Sequence, residues 1–290
     1  MAWIAFTCLA AFSQAFRNAL QSKLSQSVSV AGVTLARFIW ACPLALIYLL
    51  ALYQVAPTEP PNISFHYLLM CLLASTAQIL ATVLLVILFK QKNYSVGSGL
   101  SKCEAPMAAV LGVLFFNTHL DSVAWFGVLI GGTAVMLFSL STNFKKVSIK
   151  TLVIGLGTSL GFSLTSLWVR EATLLLNIPF LHRGAITLFT VISMQCVILL
   201  SYLSITDKKT LHVLIKKTPL VFKTSAASVV ASMGWFTAMS LQAVPLVKTL
   251  GQIEIIFTLI IAFLWLKERP KAKDIAALIL TAIAAILVML

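Results

Sequence analysis

The sequence predicts an all-α polytopic membrane protein, with ten transmembrane helices arranged as two inverted five-helix repeats. Three observations predict it. The 290 residues are 60% hydrophobic and only 10% charged, with a mean hydropathy of +1.01. A soluble domain carries about 25% charged residues, so this chain lacks the charge to coat a surface facing water. Its apolar residues fall into runs near the ~20-residue length of a membrane helix. Its two halves also match one another weakly, at a constant offset.

The spans are read as apolar runs between polar punctuation. The first five are Ala2–Leu20, Ala31–Tyr53, Phe65–Phe89, Val96–Phe116 and Ala124–Ser141. The second five are Thr151–Leu175, Gly184–Ile205, Leu220–Leu241, Pro245–Leu266 and Lys273–Leu290. No basic stretch precedes the first run, so it reads as a retained helix rather than a cleaved signal. The Pro-rich stretch Pro57–Pro61 turns the chain between spans two and three. Barrel strands would be about ten residues long with strict alternation, and runs such as Ile255–Leu266 have none. The loops are short, which leaves no room for a large extramembrane domain.

The net charge of +13 would suggest nucleic acid in a soluble protein. Here the bases mark topology, and no nucleic-acid partner is expected. The odd-numbered loops hold Lys23; Lys90 and Lys92; Lys145, Lys146 and Lys150; Lys208, Lys209, Lys216, Lys217 and Lys223; Lys267, Arg269, Lys271 and Lys273. The even loops clearly hold only Arg183. Basic loops stay cytoplasmic, so both termini are expected outside, in a bacterial inner membrane. Arg17 and Arg37 lie toward the cytoplasmic ends of their spans and read as snorkelling anchors. Trp3, Trp125 and Trp265 read as interface anchors.

The halves align at an offset of 150: Phe12-Ser13 with Phe162-Ser163, Ala81 with Ala231, and Glu104 with Glu254. The glutamate match carries most weight, because the chain has only eight acids. The repeats are expected at 1–142 and 151–290. Five crossings per repeat force the second to lie upside down relative to the first, and inverted repeats are a recurring transporter architecture.

Glu104 and Glu254 both fall near the middle of their spans. A carboxylate there costs about 2.5–3.5 kcal/mol on insertion scales. It persists when it faces water, meets a cation or takes a proton, so proton coupling is the expected chemistry, with no cofactor. The alternative is a structural glutamate held by an interhelical hydrogen bond or salt-bridged to a buried base. Pro106 is expected to kink span four beside Glu104. Lys102 can greet a substrate anion, pair with Glu254 or snorkel to the surface, and Gln252 is its repeat counterpart. Ser13, Gln14, Gln78, Ser163 and Ser232 are further cavity candidates, each of which also fits interhelical bonding. Trp235 is either cavity wall or core.

Other chemistries fit poorly. Cys8, Cys42, Cys71, Cys103 and Cys196 lie in apolar runs without a CxxC pair and read as small hydrophobes. Gly157-Thr158-Ser159-Leu160-Gly161 matches a hydrolase elbow, which requires a strand-to-helix turn, yet it sits in a helical run. No metal-protease motif or ATP-binding loop occurs, so an enzyme is not expected. Small residues Gly97, Ser101, Ala105 and Ala109, and again Ala277, Thr281 and Ala285, form stripes for close helix contact or a homodimer.

In these features the chain resembles the drug/metabolite transporter superfamily, specifically its EamA-type members. The stretch from Ala238 through Pro245 and Lys248 to Glu254, followed by an apolar run into Leu266-Lys267-Glu268-Arg269-Pro270, is similar to the family's second-repeat pattern. Glu104-Ala105-Pro106 shows the same layout, although Asn117-Thr118 replaces the usual Gly-Glu, and Arg37-Phe38 resembles the family's second-helix arginine. The resemblance implies a central cavity lined by helices 1, 3, 4, 6, 8 and 9. It also implies export or exchange of a small polar metabolite, such as an amino acid, by a monomer or homodimer. A multidrug or cation exporter, and a channel-like pore or membrane scaffold, are the competing readings.

Overall fold

The computed structural model describes residues 1–90, 103–140, 148–266 and 272–289. It is all-helical among these residues. The helices are α1 Ala2–Ser25, α2 Val30–Ala36, α3 Ala41–Val55, α4 Phe65–Lys90, α5 Glu104–Phe115, α6 Ser122–Leu140 and α7 Ile149–Leu174. They continue as α8 Phe180–Thr206, α9 Lys208–Lys216, α10 Thr218–Leu241, α11 Val244–Gly251, α12 Glu254–Leu266 and α13 Ala272–Leu287. Among the described residues, four stretches are long and apolar enough to cross a membrane: Val30–Val55, Phe65–Lys90, Ile149–Leu174 and Phe180–Thr206.

The distribution of polarity is that of a membrane protein. Large apolar side chains such as Ile47, Leu80, Phe126, Val153 and Val197 are exposed. Arg17, Arg37, Gln78, Glu104, Lys248 and Glu254 are buried. A soluble chain would reverse this pattern, because water rewards charged surface and apolar core.

Two expected spans are not continuous helices. Span two breaks at residues 37–40, between α2 and α3. Pro43 has no N–H to offer the Ile39 carbonyl, so the helical ladder is interrupted there. Ser225 of α10 fills a second gap. Its hydroxyl donates to Ala36 O at 2.7 Å and accepts from Trp40 N–H at 3.2 Å. In an unbroken helix those two backbone groups would bond each other, and an inserted side chain is a known cause of a kink.

Span nine breaks between α11 and α12. The Gln252 and Ile253 N–H groups bond Thr249 O and Leu250 O, three residues back, which tightens the chain into a turn. Glu254 is consequently the first residue of α12, and Glu104 is the first residue of α5. Each glutamate sits where helix-terminal N–H groups favour negative charge. Pro106 lies in the first turn of α5, where a missing N–H leaves no intrahelical bond unmade. The expected kink of span four depends on residues 91–102, which lie outside the described residues, as does Lys102. At the other end of α5, Asn117 adopts φ 48° and Thr118 N–H bonds back to Gly112 O at 3.0 Å. Asparagine tolerates this left-handed stop, so it does here what the glycine of the resembled pattern would do.

Helix α4 packs along α7, α1 along α10, and α6 along α13. Helices α1 and α10 approach closely at Gly234 of α10, where a side-chain carbon would lie 2.5 Å from Phe6 O and 2.8 Å from Ala10 Cβ of α1. Ala277, Thr281 and Ala285 are buried within the molecule, and α13 packs against α6. That stripe therefore serves internal packing rather than an outer dimer face.

Candidate functional site

Helices α1, α4, α5, α7, α10 and α11 converge on one buried polar cavity, and Arg37 reaches it from the break in span two. In spans, these are one, three, four, six, eight and nine, with two added. The cavity measures about 40 Å³, which holds water but no metabolite.

Glu254 is 1% exposed and is held from α1. Gln14 Nε2 donates to its Oε2 at 2.6 Å and Asn18 Nδ2 donates to its Oε1 at 3.0 Å. Residues 14 and 18 are one helical turn apart, so α1 presents both amides on one face. Each amide is oriented by a second partner. Trp235 Nε1–H donates to Gln14 Oε1 at 2.9 Å, and Arg17 Nη2 donates to Asn18 Oδ1 at 3.0 Å. These chains fix the direction of the two amide donors to the carboxylate.

Glu104 is 8% exposed, and its Oε2 lies 3.5 Å from Lys248 Nζ. The same ammonium stands 4.3 Å from the centroid of the Trp235 ring, a cation–π distance. Trp235 therefore links the two glutamates, with Lys248 over its face and Gln14 at its indole N–H. Gly251 permits this, because a side chain there would collide with the Trp235 ring. Arg37 donates to Thr82 Oγ1 at 2.9 Å and lies over the Phe162 ring at 5.9 Å.

Of the residues expected from sequence, Gln14, Gln78, Glu104, Ser232 and Trp235 line the cavity, and Glu254 is bonded to Gln14 and Asn18 of its wall. Gln78 Oε1 accepts from Gln195 Nε2 at 2.6 Å. Ser163 stands behind the wall, donating to the backbone carbonyl of Glu104 at 2.8 Å. Ser13 is buried but outside the cavity wall. Gln252 points elsewhere and crowds Gly131 of α6. The snorkelling expected of Arg17 and Arg37 is corrected: both are 2% exposed and both line the cavity. Their neighbours are protein dipoles and rings that replace the hydration a snorkelling head would seek. Sequence reasoning also missed Asn18 and Lys248 as site residues. The repeat gave no signal for either, since Trp168 stands at the repeat position of Asn18 and Ser98 at that of Lys248. The four-residue spacing of Asn18 from Gln14 was the one available pointer.

The resulting site holds three cations (Arg17, Arg37 and Lys248) and two carboxylates around a small wet space. Such a set offers ion-pair partners to a solute bearing a carboxylate, an ammonium or both.

No family model matches the chain, and no curated protein matches it. A solved structure described as "Crystal structure of protein" is similar over its whole length: the TM-score is 0.72 at 10% identity, covering 99% of this chain and 98% of that one. The likeness shows a shared fold.

Proposed function

We propose that the chain is a secondary transporter of the drug/metabolite superfamily, EamA-type, exchanging a small polar metabolite such as an amino acid by alternating access. Its units are the inverted five-span repeats 1–142 and 151–290. The single observation that carries the reading is the buried charge network joining Glu104 of the first half to Lys248, Trp235 and Glu254 of the second. Burying charged groups costs several kcal/mol each unless paired, and two of the chain's eight acids are buried in this one network.

Helix packing supports the repeats. Exchanging each span for the one five later turns the α4–α7 contact into the α10–α1 contact and leaves α6–α13 unchanged. This is what a two-fold relation between halves requires. The cavity is too small for a metabolite in this conformation, so passage needs the walls to part on one side at a time. The breaks beside Arg37 and Glu254 are natural hinges, since discontinuous helices supply binding groups in inverted-repeat transporters. Three buried cations disfavour a cationic drug as cargo.

Orientation follows the lysine distribution, with the odd loops cytoplasmic and the termini outside. The test is countertransport in reconstituted vesicles with a panel of labelled amino acids. A carrier accelerates release of trapped label when unlabelled solute is added outside. A pore gives the same release with or without it, and a scaffold gives none.

A further inference from the structure

Helix α9, Lys208–Lys216, falls within a loop where the sequence pattern suggested only positive charge. It is amphipathic. Lys208, Lys209 and Lys216 are exposed, whereas Leu214 is buried. None of these three lysines forms an ion pair among the described residues. The carboxylate preceding them, Asp207, is engaged by Thr210 through its N–H and its hydroxyl.

The apolar face of α9 forms one wall of a groove of about 420 Å³, ten times the central cavity. Leu211 and Ile215 stand on that wall, and Trp40 and Pro43, at the break in span two, stand opposite. Trp40 is 40% exposed and Ile215 70%. Ser29 at the start of α2 touches Thr210 of α9, hydroxyl to hydroxyl, at 2.9 Å. The groove therefore lies directly between α9 and the break in span two, with Trp40 and Pro43 facing Leu211 and Ile215.

The geometry points to a binding site for one anionic phospholipid, with an acyl chain in the groove against Trp40 and the phosphate among Lys208, Lys209 and Lys216. The groove is lined almost wholly by apolar side chains, and α9, which forms one wall, carries three exposed lysines against the single carboxylate of Asp207. Clustered lysines on an amphipathic helix attract anionic lipid electrostatically. A second copy of the chain fits worse, since a two-fold interface would set this basic helix against itself. The inference stands on the membrane-spanning fold and is independent of transport.

The test uses the whole protein in vesicles containing lipids brominated on the acyl chain, which quench nearby indoles. The difference between wild type and Trp40→Phe isolates the Trp40 signal. Brominated phosphatidylglycerol should quench Trp40 with about tenfold preference over brominated phosphatidylcholine. The preference should vanish in Lys208→Gln/Lys209→Gln/Lys216→Gln, and should shrink in wild type as salt is raised. The salt series stands even if the triple variant fails to fold. Equal quenching by both lipids would mean bulk bilayer contact only, and no quenching would mean that something else covers the groove. Either result overturns the site, as does a preference untouched by both salt and the triple variant.

Discussion

Lys248 Nζ lies 3.5 Å from Glu104 Oε2, a buried ion pair between residues from opposite halves of the chain. Both members are buried, so neither can be lost without leaving a charge poorly solvated.

Lys248→Met should therefore destabilise the protein by about 3–5 kcal/mol, the usual result of breaking a buried pair from one side. Adding Glu104→Gln should restore a large part of that loss. Thermal unfolding of the two single variants and the double variant in one detergent gives the coupling. Additive losses would show that the two charges do not support each other.

Glu254→Gln keeps the shape of the site and removes its charge. It also places an amide N–H₂ where Gln14 or Asn18 now donates, so one donor loses its acceptor. The expected outcome is transport that no longer responds to pH, at a rate reduced at least about tenfold, since a lost buried hydrogen bond to a charge is worth about 1.5–3 kcal/mol. Vesicle uptake measured at several external pH values for wild type and variant checks it. A wild-type pH profile in this variant would take Glu254 out of the coupling mechanism.

Ser225 bridges the broken ladder of span two. Ser225→Ala removes a donor from Ala36 O and an acceptor from Trp40 N–H. The expected cost is about 1–3 kcal/mol if both groups stay open. If the cost is near zero, the helix has closed on itself and Arg37 has rotated. Unfolding measurements combined with hydrogen exchange at the Trp40 amide separate the two outcomes.

Gly234→Ala brings a methyl group against Phe6 O and Ala10 of α1, both main-chain or rigid neighbours. The two helices must separate. A loss of about 1–3 kcal/mol is expected, seen as a lower unfolding temperature.

Asp207 caps α9, and its hydrogen bonds from Thr210 hold its carboxyl below the ordinary carboxylate range. A lowered native value means that the cap contributes fully above the ordinary range and is lost as pH falls through the lowered native value. Hydrogen exchange of the first α9 amides should therefore accelerate only on acidification through that window. Asp207→Asn should show fast exchange at every pH. If acidification leaves those amides protected, the cap is not what holds α9.

The helical class, several membrane-length runs and the two rare intraspan glutamates were legible in the sequence alone. They are local properties: run length, hydropathy and the rarity of acids need no knowledge of neighbours. The breaks in spans two and nine were not read from the sequence, although Pro43 stands in the first and Gln252 and Glu254 at the second, because hydropathy counts a run without showing how its backbone is closed. The first depends on Ser225, which lies 189 residues from the carbonyl it bonds. The direction of Arg17 was likewise decided in space. It turns inward because Asn18 accepts its guanidinium and itself donates to Glu254, 236 residues away. A sequence fixes how much polar surface a membrane helix carries; only packing decides which polar groups find one another, since the stabilisation comes from partners that the chain brings together by folding.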